Sequence, residues 1–137
     1  MRRSLYPSGL AVRALASDAH TDGTVNGDTV DRYQTSGGRG SYHGGVLFVV
    51  LTGTVTDGTH TFVVEDSENG STWATASSYD VQGAAPALDD QDSDAVFEVG
   101  YNGTKRYVRL SVTTAGSTTG GVFGAVALLD GGQARPV

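Results

Sequence analysis

Between Thr24 and Leu129 the chain is cut roughly every ten residues by turn-forming pairs, and this punctuation restricts the fold more than any other feature. Val25-Asn26-Gly27-Asp28 reads as a tight turn that accepts positive φ at Asn and Gly. Thr56-Asp57-Gly58-Thr59 is the strongest hairpin signal, because Asp-Gly stands between two runs rich in strand formers. Ser67-Glu68-Asn69-Gly70-Ser71 and Asn102-Gly103 are further turns, and Ala115 to Gly121 is a Gly/Thr loop. Breaks this frequent leave no room for helices of ordinary length, whereas strands fit between them.

The segments between the turns read as strands. Gly45 to Val55 is long, and its continuous apolar middle, Val46-Leu47-Phe48-Val49-Val50-Leu51, points to burial on both faces or against a partner. His60 to Asp66 is the return strand after Asp57-Gly58. Thr72 to Tyr79, Asp94 to Val99 and Val122 to Leu129 follow the same texture. Thr104 to Thr113 alternates cleanly, with Val108, Leu110 and Val112 on one face and Lys105, Tyr107, Arg109 and Ser111 on the other. Gln82 to Ser93 holds Pro86 and a group of acids, and reads as a long exposed loop. The expectation is an all-β fold: one antiparallel β-sandwich or jelly roll of seven to eight strands. Residues 1–23 read as an extended N-terminal arm, with Leu10 to Ala16 a weak helical turn or short strand. Residues 24–130 read as the sandwich domain and 131–137 as a polar C-terminal tail.

A chain of 137 residues can bury a real core, and with no cysteine it must be held by packing or by assembly. Its 20 glycines and scarce Lys, Glu and Met starve helices. The net charge of −6 argues against nucleic-acid binding, which needs a basic face. Charge is also unevenly placed. From Asp57 to Glu98 there are ten acidic residues and no Lys or Arg, while the first thirteen residues carry Arg2, Arg3 and Arg13 and no acid. No segment reads as an export signal, and the longest apolar run, six residues, is too short to span a bilayer. The expectation is a product made in the cytosol, without a membrane partner.

No constellation reads as catalytic. His20, His43 and His60 lie too far apart for a local metal set. Asp90-Gln91-Asp92-Ser93-Asp94 opens like a calcium loop, but Ala95 replaces the required glycine and Tyr101 stands where a bidentate Glu belongs. There is no Gly-x-Ser-x-Gly elbow and no phosphate loop. Asn69-Gly70-Ser71 and Asn102-Gly103-Thr104 match the glycosylation pattern and are better explained as turns. The lone tryptophan, Trp73, reads as a core residue; its rival role is a sugar-stacking platform with Tyr79 and Tyr101. The chain is therefore expected to be no enzyme and to need no metal or cofactor.

Lys105, Tyr107 and Arg109 share one face of a strand and form the main basic cluster of the folded part. The acidic run Asp89, Asp90, Asp92 and Asp94 is its natural complement, on a second copy or on another protein. With Arg2, Arg3 and Arg13 of the arm, these residues are the candidate partner contacts.

Four stretches carry a family resemblance. They are Val25-Asn26-Gly27 through Val30-Asp31; Gly53-Thr54-Val55-Thr56-Asp57-Gly58-Thr59-His60-Thr61; Glu65-Asp66-Ser67-Glu68-Asn69-Gly70-Ser71-Thr72-Trp73; and Val99-Gly100-Tyr101-Asn102-Gly103-Thr104-Lys105-Arg106-Tyr107-Val108-Arg109. With Thr118-Thr119-Gly120-Gly121-Val122, their order over residues 24–129 resembles the jelly-roll capsid cement, or decoration, proteins of tailed bacteriophages. The resemblance implies a virion protein on the capsid exterior, made in the host cytoplasm. It binds a shell of HK97-type major capsid protein and pairs with itself as a homodimer or homotrimer between capsomers. It carries no catalytic residue. Another virion β-domain, from a tail, neck or fibre, and a carbohydrate-binding module are the alternatives.

Overall fold

The computed structural model describes residues 9–36, 39–42 and 44–130. Over these residues the chain is all β. Its strands are Leu10–His20 (β1), Gly23–Asn26 (β2), Val30–Asp31 (β3), Tyr33–Ser36 (β4), Arg39–Tyr42 (β5), Gly45–Val55 (β6), Thr59–Ser67 (β7), Ala74–Thr75 (β8), Val81–Gln82 (β9), Ala87–Leu88 (β10), Val96–Tyr101 (β11), Tyr107–Ala115 (β12) and Gly121–Asp130 (β13). The count exceeds the seven or eight expected, because short strands such as β8, β9 and β10 line the sheet edges. Arg2, Arg3, His43 and the tail 131–137 lie outside the described residues.

Two antiparallel sheets pack face to face. One has five strands in the order β1-β13-β6-β11-β9; the other has six, in the order β10-β7-β12-β2, with β3 also on β12 and β8 also on β7. The strands β4 and β5 pair only with each other. Four connections cross from a long strand to the opposite layer: β1 to β2, β6 to β7, β11 to β12 and β12 to β13. The orders β1-β13-β6-β11 and β2-β12-β7-β10 are those of a jelly roll, two interleaved Greek keys.

That topology corrects several expectations. The Asp57-Gly58 turn does not close a hairpin, for β6 and β7 lie in different sheets and the turn arches between them. Both strands have apolar inward faces, so each gains more by lining the core from its own layer than by pairing with the other. Residues 10–20, read as part of an arm, form β1, an eleven-residue strand paired with β13 from Leu10↔Leu129 to His20↔Gly121. Two bulges interrupt that register, between Arg13 and Leu15 and between Leu15 and Asp18. They bend the strand and break the apolar alternation that would have revealed it. Gly27 also differs from its reading, since it is not among the residues of positive φ. It is glycine because a Cβ there would meet the carbonyl oxygens of Ala14 and Leu110.

The core fills the space between the layers. Phe48 and Val50 of β6, Phe62 and Val64 of β7, Leu110 and Val112 of β12, and Phe123 and Leu129 of β13 are all buried. Leu88, in the segment read as an exposed loop, is buried at 0% exposure where β10 covers the edge of β7. Trp73, read as a core residue, is only half-buried and lies outside this cluster.

Polar groups pin both ends of the sandwich, buried at one end and mostly solvent-facing at the other. At one end the buried Arg32 guanidinium donates to the carbonyls of Gly103 (2.8 Å), Lys105 (2.6 Å) and Gly44 (2.5 Å). Beside it the Tyr101 hydroxyl donates to Asp66 at 2.9 Å and accepts from the Lys105 amide at 3.2 Å. At the other end the Asp57 carboxylate accepts from the amides of Thr118 (3.1 Å), Thr119 (3.1 Å) and Gly120 (2.7 Å). Ser117 donates to Asp22 through both its amide (2.8 Å) and its hydroxyl (2.7 Å). Connections held this way make a stiff body.

Candidate interaction face

The outer faces of the two sheets differ in chemistry. On the six-stranded sheet they are polar and internally satisfied: Thr24 bonds Thr113 through their hydroxyls at 3.0 Å, Ser111 bonds Asn26 at 3.1 Å, and Arg109 pairs with Glu65 at 2.9 Å. The five-stranded sheet turns outward a field of leucine and valine. β6 contributes Leu47, Val49 and Leu51; β13 contributes Val122, Val126 and Leu128; β11 contributes Val96. Leu51 is 60% exposed and Val96 59%. These are large residues for open water, and together they make a contiguous patch of the kind that marks a protein contact.

Register fixes how they line up. Across the sheet from β1 to β11, one row reads Arg13, Val126, Val49, Glu98. The row on one side reads Ala11, Leu128, Leu47, Gly100. On the other side Gly124, Leu51 and Val96 stand abreast. Gly124 is glycine because the β1 bulge brings the Ser17 backbone across it, 2.8 Å from where a Cβ would stand. Beside that crossing lies a hollow of about 370 Å³ bordered by Arg13, Ser17, Leu51, Val96 and Val126. The apolar middle of β6 was read as buried on both faces or against a partner. Its inward residues are buried, its outward Leu47 and Val49 are half-buried, and Leu51 is exposed.

The charged candidates sit elsewhere and mostly serve the fold. Lys105 pairs with Glu68 at 3.6 Å. Arg109 is sandwiched between Glu65 and the ring of Trp73, its guanidinium carbon 4.2 Å from the ring centroid. Tyr107 lies on the same outer face, 5.0 Å from the guanidinium of Arg106. Asp89 to Asp94 form a self-bonded turn: the Asp92 carboxylate accepts from the Asp89 amide at 2.9 Å, and the Asp89 carboxylate from the Gln91 amide at 2.9 Å. Asp90 and Asp94 are exposed, with Asp94 at φ 51°. The turn is tied to β6, where the Thr52 hydroxyl donates to the Asp92 carbonyl at 2.5 Å. The acidic turn bridges β10 of the six-stranded sheet and β11 of the five-stranded one, and among the described residues Lys105 and Arg109 pair with Glu68 and Glu65 rather than with it. Arg13 alone of the described candidates borders the apolar field, and it pairs with Asp28 at 2.6 Å. That carboxylate raises the Arg13 pKa, by hydrogen bond first and by charge second.

Two histidines far apart in sequence meet inside. His20 stacks on Phe123 with centroids 4.1 Å apart, and His60 meets the same ring edge-on at 5.0 Å. The His60 ring bonds the Thr114 hydroxyl at 2.7 Å and the Asp57 carbonyl at 3.1 Å. Among the described residues no group of three or more His, Cys, Asp or Glu stands close enough to hold a metal. Only the β6 part of the apolar field, Val46–Leu51, is flagged by the sequence, as burial on both faces or against a partner; Val122–Leu129 carries the same signal, apolar at the positions that alternation assigns to the surface. No protein-family model matches the chain, and no curated protein matches it.

Proposed function

We propose that this chain is a capsid decoration protein, a non-catalytic part that binds the outside of a tailed-phage head between capsomers and stabilises the expanded shell. The observation that carries the reading is the apolar outer face of the five-stranded sheet on an otherwise well-tied jelly roll. A chain that leaves Leu51 and Val96 more than half exposed works inside an assembly rather than alone. The order of its turns and strands, resembling that of jelly-roll cement proteins, supports a phage head as that assembly. The mechanism is linkage: a protein that binds only the assembled shell lowers the free energy of that state, and a copy straddling two capsomers resists their separation. A stiff body suits that task because it transmits load without deforming.

The test is the number of copies per virion, together with the heat stability of heads made without the protein. Hundreds of copies, and heads that rupture at lower temperature when it is omitted, are the expected results. A few copies at one vertex would instead make it a tail or neck part, and absence from virions would remove the reading.

A further inference from the structure

The geometry points to a second copy of this chain as the occupant of the apolar face, in a two-fold dimer whose axis lies between β6 and β13 and runs parallel to them. The inference concerns the same face that supports the decoration reading, but its argument is self-complementarity alone.

Consider the row Arg13, Val126, Val49, Glu98, and lay a second copy on it, turned about that axis. The rotation exchanges left and right. Each Arg13 then stands over the other chain's Glu98, and each Val126 over the other's Val49. The neighbouring row places Leu47 over Leu128 and Ala11 over Gly100. On the far side, Leu51, the most exposed large residue of the field, faces the hollow bordered by Ser17, Val96 and Val126 of the other copy. The perpendicular in-plane axis would set Arg13 against Arg13 and Glu98 against Glu98, so the charges choose one orientation. Glu98 is exposed and has no ion pair among the described residues. Arg13 keeps Asp28 and still has room, at 67% side-chain exposure.

The size fits too. Four strands spaced about 4.8 Å, over some eight residues of about 3.4 Å, cover roughly 500 Å² in projection. That is the order of the roughly 800 Å² of accessible surface per partner in a standard interface. An isologous contact of this kind is also the commonest way for identical chains to close an assembly.

The test uses the full chain. Light scattering after size exclusion is expected to give twice the chain mass for wild type and the single-chain mass for Leu51→Asp. Far-UV circular dichroism should be unchanged, since Leu51 points to solvent in the single chain. Glu98→Arg should weaken dimerisation at least about tenfold, and Arg13→Glu combined with Glu98→Arg should restore it. Because the sequence has no cysteine, Arg13→Cys mixed with Glu98→Cys gives a further readout. A short bismaleimide should link the mixture into dimers and link neither variant alone. Two results would overturn the proposal: a wild-type monomer, or a Leu51→Asp dimer. If wild type is monomeric and Leu51→Asp abolishes binding to shells, the face belongs to the shell, and the decoration reading stands without the dimer.

Discussion

The imidazole of His20 lies nearly parallel to the ring of Phe123, with an interplanar angle of 9°, and its buried Nε2 has no hydrogen-bond partner among the described residues. Burial is the main reason its pKa falls below the ordinary imidazole value, outweighing a hydrogen bond to the Phe123 backbone and the charge of Asp18; nearby His60 adds to the fall. A group with a depressed basic pKa is neutral in the fold and protonates more readily once unfolded. Stability is therefore complete above about pH 6.5 and declines as pH drops from there toward the lower folded value. Urea unfolding at about pH 8 and about pH 5 should show the loss, and His20→Phe, which keeps a ring on Phe123, should remove much of it. Equal pH dependence in both proteins would defeat this account.

Tyr101 makes the opposite kind of demand. Its phenol is fully buried, and its pKa is pushed upward by burial first and then by the hydrogen bond to Asp66. In an alkaline ultraviolet titration, one of the six tyrosines should ionise only as the protein unfolds. Tyr101→Phe keeps the ring but leaves Asp66 and the Lys105 amide without this oxygen. The expected cost is about 1–3 kcal/mol, read as a lower urea midpoint at unchanged slope.

Asp57 ties the β6–β7 arch to the approach of β13. Its pKa is held down by the amides of Gly120 and Thr119 before any other influence. A carboxylate depressed in this way supports the fold above the ordinary carboxylate value, and the support fades as pH falls through its lower folded pKa. Asp57→Ala should lower the melting temperature at neutral pH, and the gap from wild type should narrow in strong acid. A constant gap across that range would mean that the three amides do not need the charge.

Much of this architecture could be read in advance because strand formation is local. The bounds Gly45 to Val55 coincide with β6, and the alternation through Val108, Leu110 and Val112 coincides with the buried face of β12. Layer assignment was not local. Asp57-Gly58 turns the chain whether the strands it joins pair or separate, and only the packing of both apolar faces decides between them. β1 was hidden by its bulges, and Trp73 by the general habit of burying a lone tryptophan. The apolar outer face was legible only through the run Val46–Leu51, for another reason. Outward Leu47, Val49, Val126 and Leu128 differ from core residues only in which layer they face, and that depends on strand pairing across the whole chain.

Trp73 yields the last prediction. One face of its indole is covered by the Arg109 guanidinium, itself held by Glu65 on an outer face that is 17% and 21% exposed at those two side chains. Of the two companions a sugar platform would use, Tyr101 is buried in the core and Tyr79 is 97% exposed. Stacking a sugar on Trp73 would require Arg109 to leave both partners. Arg109→Ala should therefore red-shift the tryptophan emission and cost about 0.5–2 kcal/mol, through the lost cation–π contact and the half-buried ion pair. Trp73→Ala should destabilise the sheet without changing retention on any immobilised glycan. Retention by wild type that disappears in Trp73→Ala would make this ring a binding surface rather than a cover for Arg109.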